Sequence, residues 1–131
     1  MEHPAQPAPR RILSVGQCFA DQMSLSAYFA DRFRIRIDEA DGPEDARAAL
    51  GSTDYSLVLV NRLMDRDGSS GLDLIRALQE DPATKGVPIM LVSDYPEAQD
   101  AARELGAVLG FGKSVLYRSE TFQRIKQALG E

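Results

Sequence analysis

Tyr55-Ser56-Leu57-Val58-Leu59-Val60-Asn61 is the most apolar short run in the chain. Its aliphatic, β-branched centre lies between Asp54 and a loop of Gly, Ser and Asp residues, the pattern of a strand buried on both faces of a parallel sheet. In open α/β sheets, ligands and chemistry collect at the carboxyl ends of such strands. The side chain that this run delivers there is Asn61, a neutral amide.

Outward from this strand, short apolar runs alternate with segments of helical period. Strands are expected at Arg11 to Val15, Phe33 to Asp38, Leu57 to Asn61, Pro88 to Ser93 and Val108 to Phe111. Helices are expected at about Asp21 to Arg32, Pro43 to Leu50, Gly71 to Glu80, Glu97 to Leu105 and Ser119 to Leu129. Pro43 after Asp41-Gly42 suits a first helical turn, and Gly51 and Gly106 read as stops. Ser119 reads as a cap for a last helix whose Phe122, Ile125 and Leu129 share one face. Strict alternation of strand and helix predicts an α/β, doubly wound parallel sheet in a three-layer sandwich. Met1 to Arg10, with Pro4, Pro7 and Pro9, is expected to be a disordered tail ahead of one domain over 11–131. No repeat is present, and the absence of an output segment after Glu131 predicts a stand-alone protein.

The 131 residues, 44% of them hydrophobic, suffice for one ordinary core without disulfides or metal. Fifteen basic against 20 acidic residues give a net charge of -5, which disfavours nucleic acid or an anionic membrane as partner. The single cysteine, Cys18, rules out an internal disulfide, and no segment reaches the ~20 apolar residues of a membrane span or shows an export signal. These features predict a cytoplasmic protein. The only histidine, His3, stands in the tail without a partner in sequence, which argues against a catalytic role.

Four strand ends carry a resemblance. Arg11-Ile-Leu-Ser-Val-Gly-Gln17, Ser56-Leu-Val-Leu-Val-Asn-Arg-Leu-Met64 with Gly71-Leu-Asp-Leu-Ile-Arg76, Val87-Pro-Ile-Met-Leu-Val-Ser93 and Gly106-Ala-Val-Leu-Gly-Phe-Gly-Lys113 together resemble a response-regulator receiver domain over Arg11 to Leu129. The resemblance implies a flavodoxin-like sheet in the order 2-1-3-4-5 with five helices. It also implies a role in bacterial two-component signalling or a phosphorelay. In that family an acidic pair after the first strand holds magnesium, and an aspartate ending the third accepts a phosphoryl group. A hydroxyl residue and a lysine, ending the fourth and fifth strands, contact the phosphoryl oxygens.

Matched position by position, Ser93 is the hydroxyl and Lys113 the lysine, while Gly16 and Gln17 occupy the acidic pair and Asn61 the acceptor. Magnesium favours anionic oxygen ligands, and these three residues supply none. An amide oxygen is also a poor nucleophile toward phosphorus. The site is therefore read as having no catalytic residue, no metal and no cofactor. The loop Asp65-Arg-Asp-Gly-Ser-Ser70 is two residues longer than the family's, with Asp65 and Ser114 at positions where proline is usual, and Gly110 replaces the aromatic switch residue beside Phe111.

Lys113 is expected to pair with a nearby carboxylate, Asp94 or Asp65. Asp65 and Asp67 are the acids from which an alternative, magnesium-dependent phosphoacceptor site would be rebuilt. A small-ligand or redox sensor at Lys113, Ser93 and Cys18 is a further alternative, and Tyr95 is a candidate for a partner-facing surface, with Phe111 either beside it or in the core. The leading expectation is an atypical receiver-like protein that is not an enzyme. It acts on protein partners without aspartyl phosphorylation, and pairing into a homodimer is left open.

Overall fold

Residues 10–131 are described by the computed structural model of the protein. Chain order is β1 (Arg11–Val15), α1 (Phe19–Phe33), β2 (Arg36–Ala40), α2 (Pro43–Ser52), β3 (Leu57–Asn61), α3 (Gly71–Glu80), β4 (Ile89–Val92), α4 (Pro96–Glu104), β5 (Val108–Phe111) and α5 (Ser119–Ala128), with a 3₁₀ turn at Lys113–Val115. The strands form one parallel five-stranded sheet in the order β2-β1-β3-β4-β5. This is the doubly wound α/β architecture expected from the alternation.

Period-2 alternation divides the strands' side chains between two cores. Leu13, Val15, Val58, Val60, Ile89 and Leu91 face α2, α3 and α4, where Ala46, Leu74, Ile75, Leu78, Ala98 and Ala102 meet them. Ile12, Leu57, Leu59, Met90, Val92 and Phe111 face α1 and α5, against Leu25, Tyr28, Phe29 and Ile125. The three central strands β1, β3 and β4 are therefore apolar on both faces, as the run at 57–60 requires. Each fully buried Leu, Ile or Phe contributes roughly 1.5–3 kcal/mol.

Several boundaries move from their expected places. α1 runs on to Phe33, whose ring stacks on Phe122 of α5 at 5.0 Å, and Arg34 ends the helix in the left-handed region at φ 54°. β2 accordingly starts at Arg36 instead of Phe33. Gly51 does not stop α2, which continues through Ser52. Ser119 is the first residue of α5 and not its cap; Arg118 holds that position without a side-chain bond. Gly106, at φ 102°, does follow the end of α4. The tail expected at Met1 to Arg10 lies outside the described residues except for Arg10, which is exposed and bonds Glu131 at 2.8 Å.

Candidate functional site

Strand order reverses at β1 and β3, whose following helices lie on opposite layers, so their carboxyl ends open a crevice at the top of the sheet. A cleft of about 410 Å³ lies there, lined by Asn61, Arg62, Leu63, Val92, Ser93, Asp94, Tyr95 and Lys113. Asn61 at the end of β3, Ser93 just past β4 and Lys113 two residues past β5, where the 3₁₀ turn begins, are thus brought together.

Asn61 is held by its own backbone surroundings. Its Nδ2 donates to the Leu63 carbonyl at 2.7 Å and to the Gly16 carbonyl at 3.2 Å. Two converging carbonyl oxygens want a donor, and a carboxylate at this position would turn lone pairs toward both of them. Gly16 is equally committed. Its φ is 78°, and a Cβ added there would stand 2.5 Å from Met64 Sδ. Met64 is only 2% exposed, so its thioether fills the space that a side chain at residue 16 would need. The Gly16 carbonyl also accepts the Asp65 N–H at 3.0 Å. The neutral residues at 16 and 61 are therefore interlocked with Met64, a residue that sequence reasoning passed over. Gln17, at the second acidic-pair position, has both amide atoms enclosed without a hydrogen-bond partner among the described residues.

The expected partners of Lys113, Asp94 and Asp65, are both displaced by a third carboxylate. Lys113 Nζ donates to Asp21 Oδ2 of α1 at 2.6 Å, and the Cys18 thiol donates to the same oxygen at 3.1 Å. The Lys113 hydrogen bond, with a smaller contribution from Cys18, holds the Asp21 carboxyl below its ordinary value against the opposing effect of burial. Asp94 instead accepts the Ser114 hydroxyl at 2.6 Å and packs against Gly112. Two carboxylates thus stand beside the crevice, which corrects the picture of a site without acids, but each already serves a neighbour.

The inserted acids stand outside the cleft lining. Met64 N–H donates to the Ser69 carbonyl at 2.8 Å and Gly68 N–H to the Met64 carbonyl at 2.7 Å, curling the loop onto itself. Asp67 accepts the Ser69 N–H at 2.9 Å, and Ser69 holds its carboxyl below the usual range. Asp65 and Asp67 are both exposed and neither lines the cleft. Among the described residues no group of three or more His, Cys, Asp or Glu is arranged to hold a metal ion. The Ser93 hydroxyl accepts the Tyr95 N–H at 3.1 Å, at the start of α4.

The position expected of the aromatic switch is closed by an amide. Gly110 is buried, and a Cβ there would strike the Leu91 carbonyl. Gln99 of α4 reaches over it: Nε2 donates to Leu91 O at 2.9 Å and Ser93 O at 3.1 Å, while Oε1 accepts the Gly110 N–H at 3.0 Å. Gln99 is 8% exposed, and its bonds span the irregular register between β4 and β5. Phe111 is core at 1% exposure, so it is not a surface residue. Tyr95 is 53% exposed, with the Arg62 guanidinium 4.9 Å from its ring centre.

The same architecture recurs in solved structures. A response regulator receiver protein from Pseudomonas putida superimposes with a TM-score of 0.77 at 26% identity, over 93% of this chain and 99% of that one. The signal receiver domain of a DNA-binding response regulator from Colwellia psychrerythraea gives 0.77 at 22% identity, covering 93% and 99%. A response regulator receiver domain protein from Methanospirillum hungatei gives 0.76 at 18% identity, covering 94% and 95%. The chain has the receiver fold. No protein-family model and no curated protein matches it. Besides Met64 and Gln99, Asp21 is a site residue that sequence reasoning missed. A signal for it existed: Asp21, Leu25 and Tyr28 share the inward stripe of α1 at spacings of four and three.

Proposed function

We propose that the protein is a receiver-like signalling module that works through protein–protein contact and does not depend on aspartyl phosphorylation. The receiver fold supports a place in two-component signalling. The observation that carries the rest is the double hydrogen bond of Asn61 Nδ2 to the Gly16 and Leu63 carbonyls, which commits the acceptor position to a structural role. Lys113, neutralised by Asp21, and Gly16, covered by Met64, fit the same reading. The module is not an enzyme and takes no magnesium in this proposal, since its nearest carboxylates are paired with Lys113 and Ser114. Its contact surface includes the exposed rim of the cleft, where Leu63 and Tyr95 flank Arg62.

Incubation with acetyl phosphate and magnesium, followed by intact mass and peptide mapping, tests this directly. An unchanged mass is the expected result. Gain of a phosphoryl group on Asp21, Asp65, Asp67 or Asp94 would overturn the proposal.

A further inference from the structure

β2 is an edge strand that pairs only with β1 among the described residues. The Ala40 carbonyl accepts the Gly16 N–H at 2.9 Å and so faces β1. Backbone groups alternate along a strand, so Asp38 and Arg36 also face β1, while Ile37 and Glu39 turn their N–H and C=O toward the open edge. Unpaired edges of this kind are templates for another strand. Beside this one runs a stripe of α1 in which the apolar Phe19 and Met23 are followed by the small Ser26 and Ala30. Phe19 is 80% and Met23 57% exposed. Grooves of about 450 and 430 Å³ separate the stripe from β2, and Ser26, Arg36 and Ile37 line both.

We infer that β2 is a self-pairing edge, to which a second copy of this chain adds antiparallel about a two-fold axis at Ile37. The register follows from hydrogen-bond parity and charge. In an antiparallel ladder, residues directly opposite must both point outward or both inward. Ile37 therefore meets either Ile37 or Glu39 of the second copy. Pairing with Glu39 would centre the ladder on Asp38 and set two aspartates against each other. Pairing with Ile37 sets Arg36 against Asp38 twice, an opposite-charge cross-strand pair that stabilises such ladders. Arg36 lies 3.2 Å from Asp38 of its own strand with its side chain 71% exposed, and Asp38 also accepts the Tyr55 hydroxyl at 2.7 Å and faces Arg11 at 3.6 Å, so the cross-strand pair joins an existing charge cluster.

The helix stripe agrees with this axis. Ser26, level with Ile37, stands at the two-fold, where a small side chain lets two copies of α1 approach. Met23 then faces Ala30 of the other copy, large against small. The interface is isologous and closes as a dimer with one continuous sheet.

Sedimentation velocity over about 1 to 500 µM spans the affinities such an edge can supply. Wild-type protein is expected to dimerise within this range, and Arg36→Glu and Asp38→Lys are each expected to be monomeric where wild type is dimeric. Mixed one to one, the two variants should form a heterodimer, since each introduced charge then meets its opposite. Met23→Glu, which leaves β2 untouched, should weaken the wild-type dimer at least tenfold. Circular dichroism on each variant separates loss of pairing from loss of fold. A wild type that stays monomeric overturns the inference, as does a dimer indifferent to Arg36→Glu or Met23→Glu. Folded variants that fail to recover pairing on mixing overturn it as well.

Discussion

Asn61 differs from an aspartate by one N–H₂ group, and that group meets two carbonyl oxygens. Asn61→Asp exchanges two favourable hydrogen bonds for lone-pair repulsion and should destabilise the fold by about 1–3 kcal/mol near neutrality. The penalty belongs to the ionised carboxyl, whose folded-state pKa it raises above the ordinary ~3.9, so it should shrink as the pH falls through that raised value and be largely gone below about 4. Urea midpoints at pH 7 and pH 3.5 measure both. Asp21 behaves in the opposite sense. Its carboxyl is held below the ordinary value, chiefly by the Lys113 hydrogen bond, so the pair's contribution is complete above the unfolded value of about 3.9 and is lost as pH falls through the folded one. Both side chains are about one-third exposed, at 32% and 35%, and solvent screening limits the pair to ~1 kcal/mol or less. Asp21→Asn should therefore be slightly less stable than wild type at pH 6 and indistinguishable from it near pH 2.5. The same variant frees the Lys113 ammonium toward the cleft, where added phosphate should raise its melting temperature but not that of wild type.

The strongest coupling between elements near the site runs through Gln99, whose amide ties α4 to both β4 and β5. A buried amide with all its near partners satisfied rigidifies the elements it joins, whereas removing it leaves three backbone groups unpaired. Gln99→Leu, similar in size, should destabilise by about 2–4 kcal/mol and speed amide hydrogen exchange at Gly110 above all, because that N–H loses its acceptor. Uniform exchange across β5 with no excess at Gly110 would count against Gln99 as the fastener. At this scale the strands were readable where apolar runs are bounded by turn residues, as at 57–61. Helix ends were less so. Gly51 lies in open space on an exposed helical surface, where glycine is tolerated without stopping the helix, and Phe33 extends α1 because Phe122 is there to stack on.

Across the whole molecule, one sheet is covered by α1 and α5 on one face and by α2, α3 and α4 on the other. Because the central strands are shared, the two layers cannot unfold independently. Phe29→Ala and Leu74→Ala, one from each layer, should each lower stability by about 2–5 kcal/mol and keep a single transition. Far-ultraviolet circular dichroism and tyrosine fluorescence, usable because the chain has four tyrosines and no tryptophan, should give coincident midpoints. This architecture was legible because alternation of apolar period constrains topology over the full chain. The site was legible only in part. Asn61, Ser93 and Lys113 lie at or just past strand ends and could be placed by counting, but Asp21 meets Lys113 across 92 positions, and only its place on the inward stripe of α1 hinted at it. Met64 and Gln99 read as ordinary core and helix residues until their neighbours, Gly16 and Gly110, are seen to need something in the space a side chain would occupy. Among the described residues no helix is long and apolar enough to cross a membrane.

Met64 over Gly16 constrains any redesign of the crevice. An acid placed at residue 16 would collide with a thioether in a left-handed turn, trimming the thioether first would open a void, and an aspartate at 61 alone would face two carbonyls. Each of these three changes made alone therefore gives a less stable fold, and a carboxylate is accommodated at residue 16 or 61 only by altering Gly16, Asn61 and Met64 together.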